Sequence, residues 1–280
     1  MQLISVIIPT CNRNELLRKC LDALKPGVQT IGGTNYEVIV TDDSKESIAA
    51  EFIQKNYAWA KWVKGPGKGP AANRNNGAKN AKGDWLVFVD DDCLPDVNFI
   101  LAYYESISAY KNVHVFEGYI GVDRKQKSFS EESPINTTGG YLWSCNFMIE
   151  KDLFINTLKG FDEEYLFAAM EDVDLYYRLK KLNERVHFLS MARVIHPWRI
   201  QKKPFRIGKK RFSSLLYFLK KFPEKKKDYN AAYFLKAFLF AAIGIIKNSI
   251  RFRFRGFSKR LIFTLLQLYF AMRISIENNK

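Results

Sequence analysis

A short apolar run followed by three consecutive aspartates is the sequence feature that most constrains the fold. Residues 85–89 have the length and composition of a buried strand; Asp90, Asp91 and Asp92 follow directly, and Pro95 ends the stretch. Ligand sites of parallel sheets lie beyond the carboxyl ends of strands. Adjacent carboxylates repel one another, so the cluster is costly unless a cation or several donors compensate it. The stretch predicts a divalent cation site. The alternative interpretation is an acidic loop that caps the next helix.

Strand-like and helix-like segments alternate through the first third of the chain. Apolar β-branched runs at residues 3–8 and 36–40 are each followed by a polar turn, and Asn12 or Asn14 is a candidate cap for the helix after the first run. Helical spacing follows each run, and residues 59–63 resemble a third strand. This order predicts an α/β fold with a mostly parallel sheet.

The positive charge of the chain is concentrated at its carboxyl end. The whole sequence of 280 residues has a formal net charge of +15, yet residues 201–280 hold 20 Lys and Arg against 3 Asp and Glu. Residues 1–200 hold 24 against 26 and are nearly neutral. We therefore expect two domains, a globular domain at 1–200 and a basic, helical region at 201–280 that meets an anionic surface.

The cysteines and the first residues favour a cytoplasmic protein. The four cysteines show neither metal-ligand spacing nor a disulfide framework, which is typical of a reducing compartment. The amino-terminal segment lacks the basic region of a signal peptide, and Pro9 interrupts it early. It is therefore interpreted as the first strand.

A glycine-rich segment at residues 65–78 carries Arg74. Its glycine spacing does not fit a dinucleotide-binding fingerprint, and it does not follow the first strand. A helix that begins here would place the Arg74 guanidinium near the acidic strand ends. There it could hold a nucleotide or pair with Asp42 or Asp90.

A second acidic group, Glu171, Asp172 and Asp174, opens an amphipathic helix. Asp174 and Arg178 are four residues apart and predict a structural ion pair. Asp172 lies near the positive end of the helix dipole, which helps to keep it ionised and able to act as a base.

A run at residues 141–149 contains one aromatic and several small polar side chains. Trp143 and Asn146 could line a sugar pocket, or the run could be an ordinary half-buried strand. Both interpretations stay open from the sequence.

Taken in order, five segments resemble the inverting nucleotide-sugar glycosyltransferases of family 2, which have the GT-A fold. They span residues 5–13, 37–43, 71–77, 83–92 and 160–179. The resemblance implies a GT-A fold, a mostly parallel mixed sheet flanked by helices, with a carboxyl-terminal helical appendage. It implies transfer of a sugar, in our expectation from a UDP-sugar, to a hydroxyl of a glycan or lipid-linked acceptor.

The resemblance also implies roles for individual residues. Asp42 would read the nucleobase, and Arg74 would lie beside the base and phosphates. The loop of Pro9, Thr10, Asn12 and Arg13 would contact the nucleoside. Asp90 and Asp92 would approach the ribose and hold Mn²⁺ or Mg²⁺, with His196 as a further metal ligand. Asp91 is grouped with the nucleotide-binding residues but is expected to point away and be dispensable. Asp172 would be the catalytic base, with Glu171 beside it.

Two other functions are weighed against the glycosyltransferase. A nucleotidyltransferase on a related sheet lacks a glycine-rich loop directly after the first strand. A non-catalytic, membrane-associated nucleotide-sugar binding protein would not need Asp172.

The basic tail is expected to lie on the inner face of the cell membrane. An amphipathic basic helix begins near Lys209, and two apolar segments, 231–246 and 261–276, follow. Each segment is shorter than the roughly 20 residues that a spanning helix needs, which favours helices in the membrane plane across 205–280. The alternative is a helical subdomain that packs on the body or on a second subunit. Nucleic acid is not expected as a partner because the basic residues flank long apolar runs.

Overall fold

The computed structural model describes residues 2–32, 35–46 and 48–278. The strands, in chain order, are β1 Ile4–Thr10, β2 Tyr36–Asp42, β3 Lys61–Lys64, β4 Trp85–Val89, β5 Leu94–Pro95, β6 Val115–Gly121, β7 Glu131–Glu132, β8 Asn146–Glu150, β9 Val186–Ile195 and β10 Arg199–Ile200. The α-helices are α1 Asn14–Leu24, α2 Ile48–Asn56, α3 Pro70–Lys79, α4 Phe99–Ala109, α5 Glu171–Lys181, α6 Pro204–Lys221, α7 Ala231–Ser249 and α8 Phe257–Asn278. A π-helix, Leu153–Thr157, and a 3₁₀-helix, Pro223–Lys227, complete the set.

The chain divides into two compact units. The first comprises residues 1–123 and 134–197, and the second comprises 124–133 and 198–280. The sequence placed a division at residue 200 and treated 124–133 as part of a catalytic-domain loop. In the structure that segment contains β7, which pairs with β10 of the second unit.

A mixed, mostly parallel sheet forms the centre of the first unit. Within the described residues its strand order is β3-β2-β1-β4-β8-β6-β9-β5. β1 pairs in parallel with β2 and β4, and β3 extends the parallel set, whereas β8 is antiparallel to β4 and β6. The predicted α/β sheet is confirmed. Because β1, β2 and β4 are parallel, the residues that follow them meet at one edge.

The side chains of β1 alternate between the two faces of the sheet. Ile4, Val6 and Ile8 pack into a core with α1, α2 and α4. Ile7 packs into a second core with α3, α5 and the π-helix. β1 is buried on both faces, which explains why its sequence is a continuous apolar run rather than an alternating one.

Several element boundaries differ from the predicted ones. α1 is preceded by Arg13, and no side chain caps it, because Asn12 adopts a positive φ of 56° and Asn14 is already helical. The strand expected at 141–149 begins only at Asn146. The largely apolar runs at residues 186–189 and 192–195 predict two short strands, whereas the structure has one continuous strand, β9, over both.

The second unit contains α6, α7, α8 and the short β7–β10 pair. Among the helices of the described residues, α7 alone is long and apolar enough to cross a membrane by length and composition, and 11% of its most apolar window is buried. The prediction that both apolar segments are too short therefore does not hold for α7, which extends three residues beyond the predicted end.

Candidate active site

The residues that the sequence predicts to bind the nucleotide sugar lie at the carboxyl ends of β1, β2 and β4. Thr10, the last residue of β1, pairs with Asp42, the last residue of β2. The aspartate triplet follows Val89, the last residue of β4. The structure thus brings the polar end of β1 together with two acidic strand ends, although these segments are up to 80 residues apart in the sequence.

Asp91 turns toward the loop after β1 and is 2% exposed. Its Oδ2 accepts a hydrogen bond of 2.8 Å from Thr10 Oγ1, and its Oδ1 accepts one of 2.9 Å from Arg13 Nη1. Burial raises the pKa of Asp91 to about 6, although the charge of Arg13 opposes the increase. Asp91 therefore points toward the loop after β1 and holds it by two hydrogen bonds, and the expectation that it is dispensable stays a prediction.

Within that loop, Pro9 and Asn12 contribute differently. Pro9 is still part of β1 and pairs with Thr41. Asn12 is exposed, and its left-handed backbone turns the chain into α1. The amide of Asn12 is therefore open to a ligand, as are the exposed side chains of Cys11 and Arg13.

Asp42 and Asp43 have different environments. Asp42 is fully buried, and its oxygens accept hydrogen bonds from Ser44 N at 2.9 Å and Ser44 Oγ at 2.8 Å. Asp43 is half-buried and accepts from Gly67 N at 2.8 Å and Gly69 N at 3.1 Å. Asp42 therefore anchors its own turn. Asp43, for which the sequence predicts no role, is the carboxylate nearer to solvent and to the glycine loop.

Arg74 joins the two acidic stretches. It projects from α3, is 3% exposed, and donates from Nη2 to Asp90 Oδ1 at 2.7 Å and from Nη1 to Glu171 Oε1 at 3.2 Å. Burial lowers the pKa of Arg74, but the charges of Asp90 and Glu171 outweigh that effect and raise it above its usual range. Of the two pairings considered from the sequence, Asp90 is the one formed.

Asp172 lies in the first turn of α5, as predicted. Its Oδ1 accepts a hydrogen bond of 2.8 Å from Val173 N, and the backbone N–H of Ser144 also donates to it. Burial raises the pKa of Asp172, and the nearby Arg74 opposes the increase. Burial and the charge of Asp172 also raise the pKa of Glu171.

Asp174 and Arg178 form the predicted structural ion pair. Arg178 Nε donates to Asp174 Oδ1 at 2.5 Å, and the two terminal nitrogens of Arg178 donate to the carbonyl oxygens of Leu158 and Gly160. Tyr165 also donates to Asp174. This pair fixes α5 against the preceding loop and takes no part in the site itself.

Asp92, Cys93 and His196 form a buried group whose potential ligand atoms all lie within 4.8 Å of one another. His196 Nε2 is 3.4 Å from Asp92 Oδ1, and Nδ1 is 3.1 Å from the carbonyl oxygen of Pro197. In the tautomer in which Nδ1 donates to that carbonyl oxygen, Nε2 has a lone pair that would be available to a metal ion beside Asp92. A carboxylate oxygen and an imidazole nitrogen suit Mn²⁺, so these residues fit a divalent metal. Asp90, which is predicted as a second ligand, forms an ion pair with Arg74 through its Oδ1 atom.

The two predicted pocket residues differ in burial, because Trp143 is half-buried and Asn146 is fully buried. The ring of Trp143 stacks on that of Tyr141 with centroids 6.0 Å apart, and Tyr141 is 51% exposed. Asn146 is fully buried; it accepts from Tyr103 and donates to the carbonyl oxygens of Tyr119 and Ala192. The pocket prediction for Asn146 is wrong, because all of its polar atoms tie the sheet to α4.

Glu117 of β6 organises the loop that leads to Trp143 and Ser144. It is 2% exposed and accepts from the backbone N–H groups of Gly140, Tyr141 and Leu142 at 2.5, 3.1 and 3.0 Å. Leu142 has a positive φ of 47°, a conformation that costs about 1–3 kcal/mol unless its surroundings impose it. We assign this constraint to Glu117. The sequence offered no signal for it, since an acid within a strand looks like an exposed position.

The comparisons with known proteins agree with this architecture. Glycosyl transferase family 2 matches residues 5–163, which is more than half of the chain. The chain belongs to glycosyl transferase family 2.

Curated relatives share only part of their length with this chain. An uncharacterized glycosyltransferase of Haemophilus influenzae is 39% identical over 93 residues, which is 32% of this chain and 29% of that protein. The poly(ribitol-phosphate) beta-glucosyltransferase of Bacillus spizizenii is 32% identical over 106 residues, 36% of this chain and 16% of that protein. The aligned segments therefore span less than a third of these relatives.

Solved structures share the fold over a longer stretch. Staphylococcus aureus TarS residues 1–349 in complex with UDP-GlcNAc has a TM-score of 0.58 and 20% identity, covering 78% of this chain and 66% of that one. GalNAc-T7 with UDP, GalNAc and Mn²⁺ has a TM-score of 0.56 and 19% identity, covering 72% of this chain and 45% of that one. This likeness establishes the GT-A fold predicted from the sequence.

Replacing Glu117 with Gln tests the loop assignment. Gln keeps the shape but turns an amide NH₂ toward backbone donors, so we expect a loss of about 1–3 kcal/mol in the free energy of unfolding, measured by denaturant titration. Glu105→Gln on the exposed face of α4 is the matched control and should change the free energy by less than about 0.5 kcal/mol. Equal values for the two variants would remove Glu117 from this role.

Proposed function

We propose that this protein transfers a sugar from a nucleotide diphosphate sugar, with UDP as the nucleotide, to a hydroxyl of a glycan or lipid-linked acceptor, with inversion. The observation that carries the proposal is Asp172, a buried carboxylate held by two backbone N–H groups beside the Arg74 pair. The printed names of relatives support the substrate classes. TarS is described in complex with UDP-GlcNAc, and a Campylobacter jejuni relative is named GalNAc(5)-diNAcBac-PP-undecaprenol beta-1,3-glucosyltransferase.

The proposed chemistry assigns the proton to Asp172. The acceptor hydroxyl attacks the anomeric carbon and gives its proton to the Asp172 carboxylate. The bond between the anomeric carbon and the phosphate oxygen breaks on the opposite side, and its electron pair leaves with the nucleoside diphosphate. Attack opposite to the leaving group inverts the configuration. The two backbone donors hold Asp172 in place while it is ionised, which keeps it ready to accept the proton.

Charge balance supports a metal at Asp92 and His196. Two guanidinium groups of the edge, those of Arg13 and Arg74, lie beside five carboxyl groups: Asp90, Asp91, Asp92, Glu171 and Asp172. Such a surplus of negative charge would repel a diphosphate. A bound Mn²⁺ or Mg²⁺ supplies the positive charge that stabilises the departing diphosphate. Asp92 and His196 would hold that ion, and Asp90 would keep Arg74 in position.

We also propose that the second unit attaches the protein to the inner face of an anionic membrane. The exposed apolar side chains of α7 include Phe240 at 65% and Ile246 at 77%. Exposed lysines and arginines, among them Lys247 and Arg251, lie on or just after the same helix. An apolar face bordered by cations suits the boundary between acyl chains and anionic headgroups.

Asp172→Asn tests the catalytic base. Asn cannot accept the proton, so we expect transfer to fall about 10²–10⁴-fold while the Kd for UDP changes by less than about threefold. The measurements are release of UDP from a panel of UDP-sugars with glycan acceptors, and calorimetric binding of UDP. Glu164→Gln, an exposed carboxylate before α5, is the control and should keep the wild-type rate.

The pH profile of the wild type gives an independent check on this base. Asp172 acts when ionised, and burial raises its pKa. Activity is therefore lost as the pH falls, and the loss begins above the ordinary aspartate value of about 3.9. A rate that stays constant down to that value, or wild-type transfer by Asp172→Asn, would contradict the assignment.

Metal removal tests the second half of the site. Dialysis against a chelator should abolish transfer, and Mn²⁺ or Mg²⁺ should restore it. His196→Gln and Asp92→Asn should each raise the Mn²⁺ concentration needed for half-maximal activity about 10–100-fold, while Glu164→Gln leaves it unchanged. Full activity in the chelator would contradict the metal proposal.

Vesicle flotation tests the membrane proposal. The full chain should float with vesicles that contain phosphatidylglycerol, and Phe240→Ser with Ile246→Ser should weaken binding by about tenfold or more because two apolar side chains lose their burial. The control is Met191→Ser, which removes an exposed apolar side chain from the first unit. Equal flotation of the double variant and the control would exclude a role for α7.

A further inference from the structure

A polar cavity of about 260 Å³ lies within the second unit. Its lining residues come from β7 and the three helices: Glu132, Arg211, Ala237, Ala241, Arg260, Phe263, Thr264 and Gln267. The two alanines of α7 leave space, and Arg260, Thr264 and Gln267 of α8 supply polar residues to the lining. The volume corresponds to about eight or nine water molecules at their liquid volume, enough for a small anionic group.

The charges around this cavity do not cancel. Glu132 is taken up by Arg211, whose Nη2 donates to Oε1 at 2.6 Å and whose Nη1 donates to Oε2 at 3.2 Å. Gln201 also donates to Glu132. This bidentate pair leaves the Arg260 guanidinium as the remaining charge in the lining.

Arg260 has no ion pair or side-chain hydrogen bond with any described residue. It is half-buried, and burial lowers its pKa, with no neighbouring carboxylate offsetting that effect. A half-buried cation without a counter-charge is costly, and the cost falls when an anion binds. A guanidinium presents donors in a fork that matches the oxygens of a phosphate.

Two further polar residues of α8 line the cavity together with Arg260. Arg260, Thr264 and Gln267 follow one another at spacings of four and three, so they share a helix face. The hydroxyl of Thr264 donates to the Arg260 carbonyl oxygen at 3.0 Å, and the amide of Gln267 donates to that of Phe263 at 3.3 Å. Both groups can rotate toward a ligand in the cavity. Other faces of α8 carry exposed apolar side chains such as Leu265 and Met272.

We propose that this cavity binds a phosphate oxyanion, with Arg260 as the main ligand and Thr264 and Gln267 as further donors. The phosphate can come from the headgroup of a membrane phospholipid or from a soluble phosphate, and the chemistry of recognition is the same. The site goes beyond the proposed sugar transfer, because it lies wholly within the second unit and needs no donor sugar.

The test uses the full chain and two arginine variants. Arg260→Gln removes the cavity charge, whereas Arg255→Gln removes an equal charge from an exposed position. Binding is measured with phosphatidylcholine vesicles that carry either phosphatidic acid or oleate at equal surface charge. We expect Arg260→Gln to lose about tenfold or more in affinity for phosphatidic acid, Arg255→Gln to lose less than about threefold, and the two to bind oleate vesicles alike. Equal losses for both variants on phosphatidic acid would overturn the proposal.

A second variant distinguishes loss of binding from loss of folding. Competition with inorganic phosphate distinguishes a lipid headgroup from a soluble phosphate. Thr264→Val keeps the charge and shape and should weaken phosphatidic acid binding about three- to tenfold at an unchanged melting temperature; wild-type affinity would remove Thr264 from the site. Competition by inorganic phosphate that depends on Arg260 identifies a soluble anion as a ligand. Vesicle binding that depends on Arg260 but resists inorganic phosphate identifies a lipid headgroup. If neither probe depends on Arg260, there is no phosphate site.

Discussion

The buried guanidinium of Arg74 is the interaction on which the site depends. It lies between Asp90, at the end of β4, and Glu171, at the start of α5, two residues 81 positions apart in the chain. Without it, two carboxyl groups with little exposure would face each other at the sheet edge without compensation. Removing one partner of a buried ion pair typically costs about 3–5 kcal/mol, because the other charge stays buried. Arg74 therefore holds the carboxylate that follows β4 and the carboxylate that opens α5 in one arrangement.

Arg74 is in turn positioned by the close approach of α3 to β1. A Cβ on Gly77 would lie 2.4 Å from Ile7 Cγ2, so only glycine allows this distance between helix and sheet. Asn75 then fixes the next connection, since its side chain exchanges two hydrogen bonds of 2.8 Å with the backbone of Phe161. Through these contacts the segment before α5 follows α3, and Glu171 reaches the guanidinium.

Sequence reasoning located this site through patterns that are local. Residues 85–92 combine an apolar run with its acidic end, and the first turn of α5 contains Asp172; both are readable within a dozen residues. The parallel order of the first strands then placed the acidic ends on one edge, as the structure confirms for Asp42 and Asp90. What a pattern cannot give is the direction in which each carboxylate points.

That direction depends on distant donors. Asp91 turns to Thr10 and Arg13, which are about 80 residues away, and Glu117 binds a loop that begins 19 residues later. Asn146 failed as a pocket residue for the same reason, since its partners belong to three other elements. The alternation of apolar and polar residues along the chain does not distinguish a polar side chain that bonds a distant element from one that faces a ligand. Neither does composition show that residues 124–133 belong with the second unit.

The aspartate triplet shows how the protein distributes the cost of adjacent acids. Asp90 is compensated by Arg74, and Asp91 by Thr10 and Arg13. Asp92 lies 3.6 Å from Arg13 and 3.4 Å from the imidazole of His196, distances longer than the best hydrogen bonds to a charged group. Arg74 thus compensates Asp90, and Arg13 lies beside both Asp91 and Asp92. A divalent ion held by Asp92 and His196 would add positive charge to this acidic cluster. That charge would attract the diphosphate, which the other four carboxyl groups would repel.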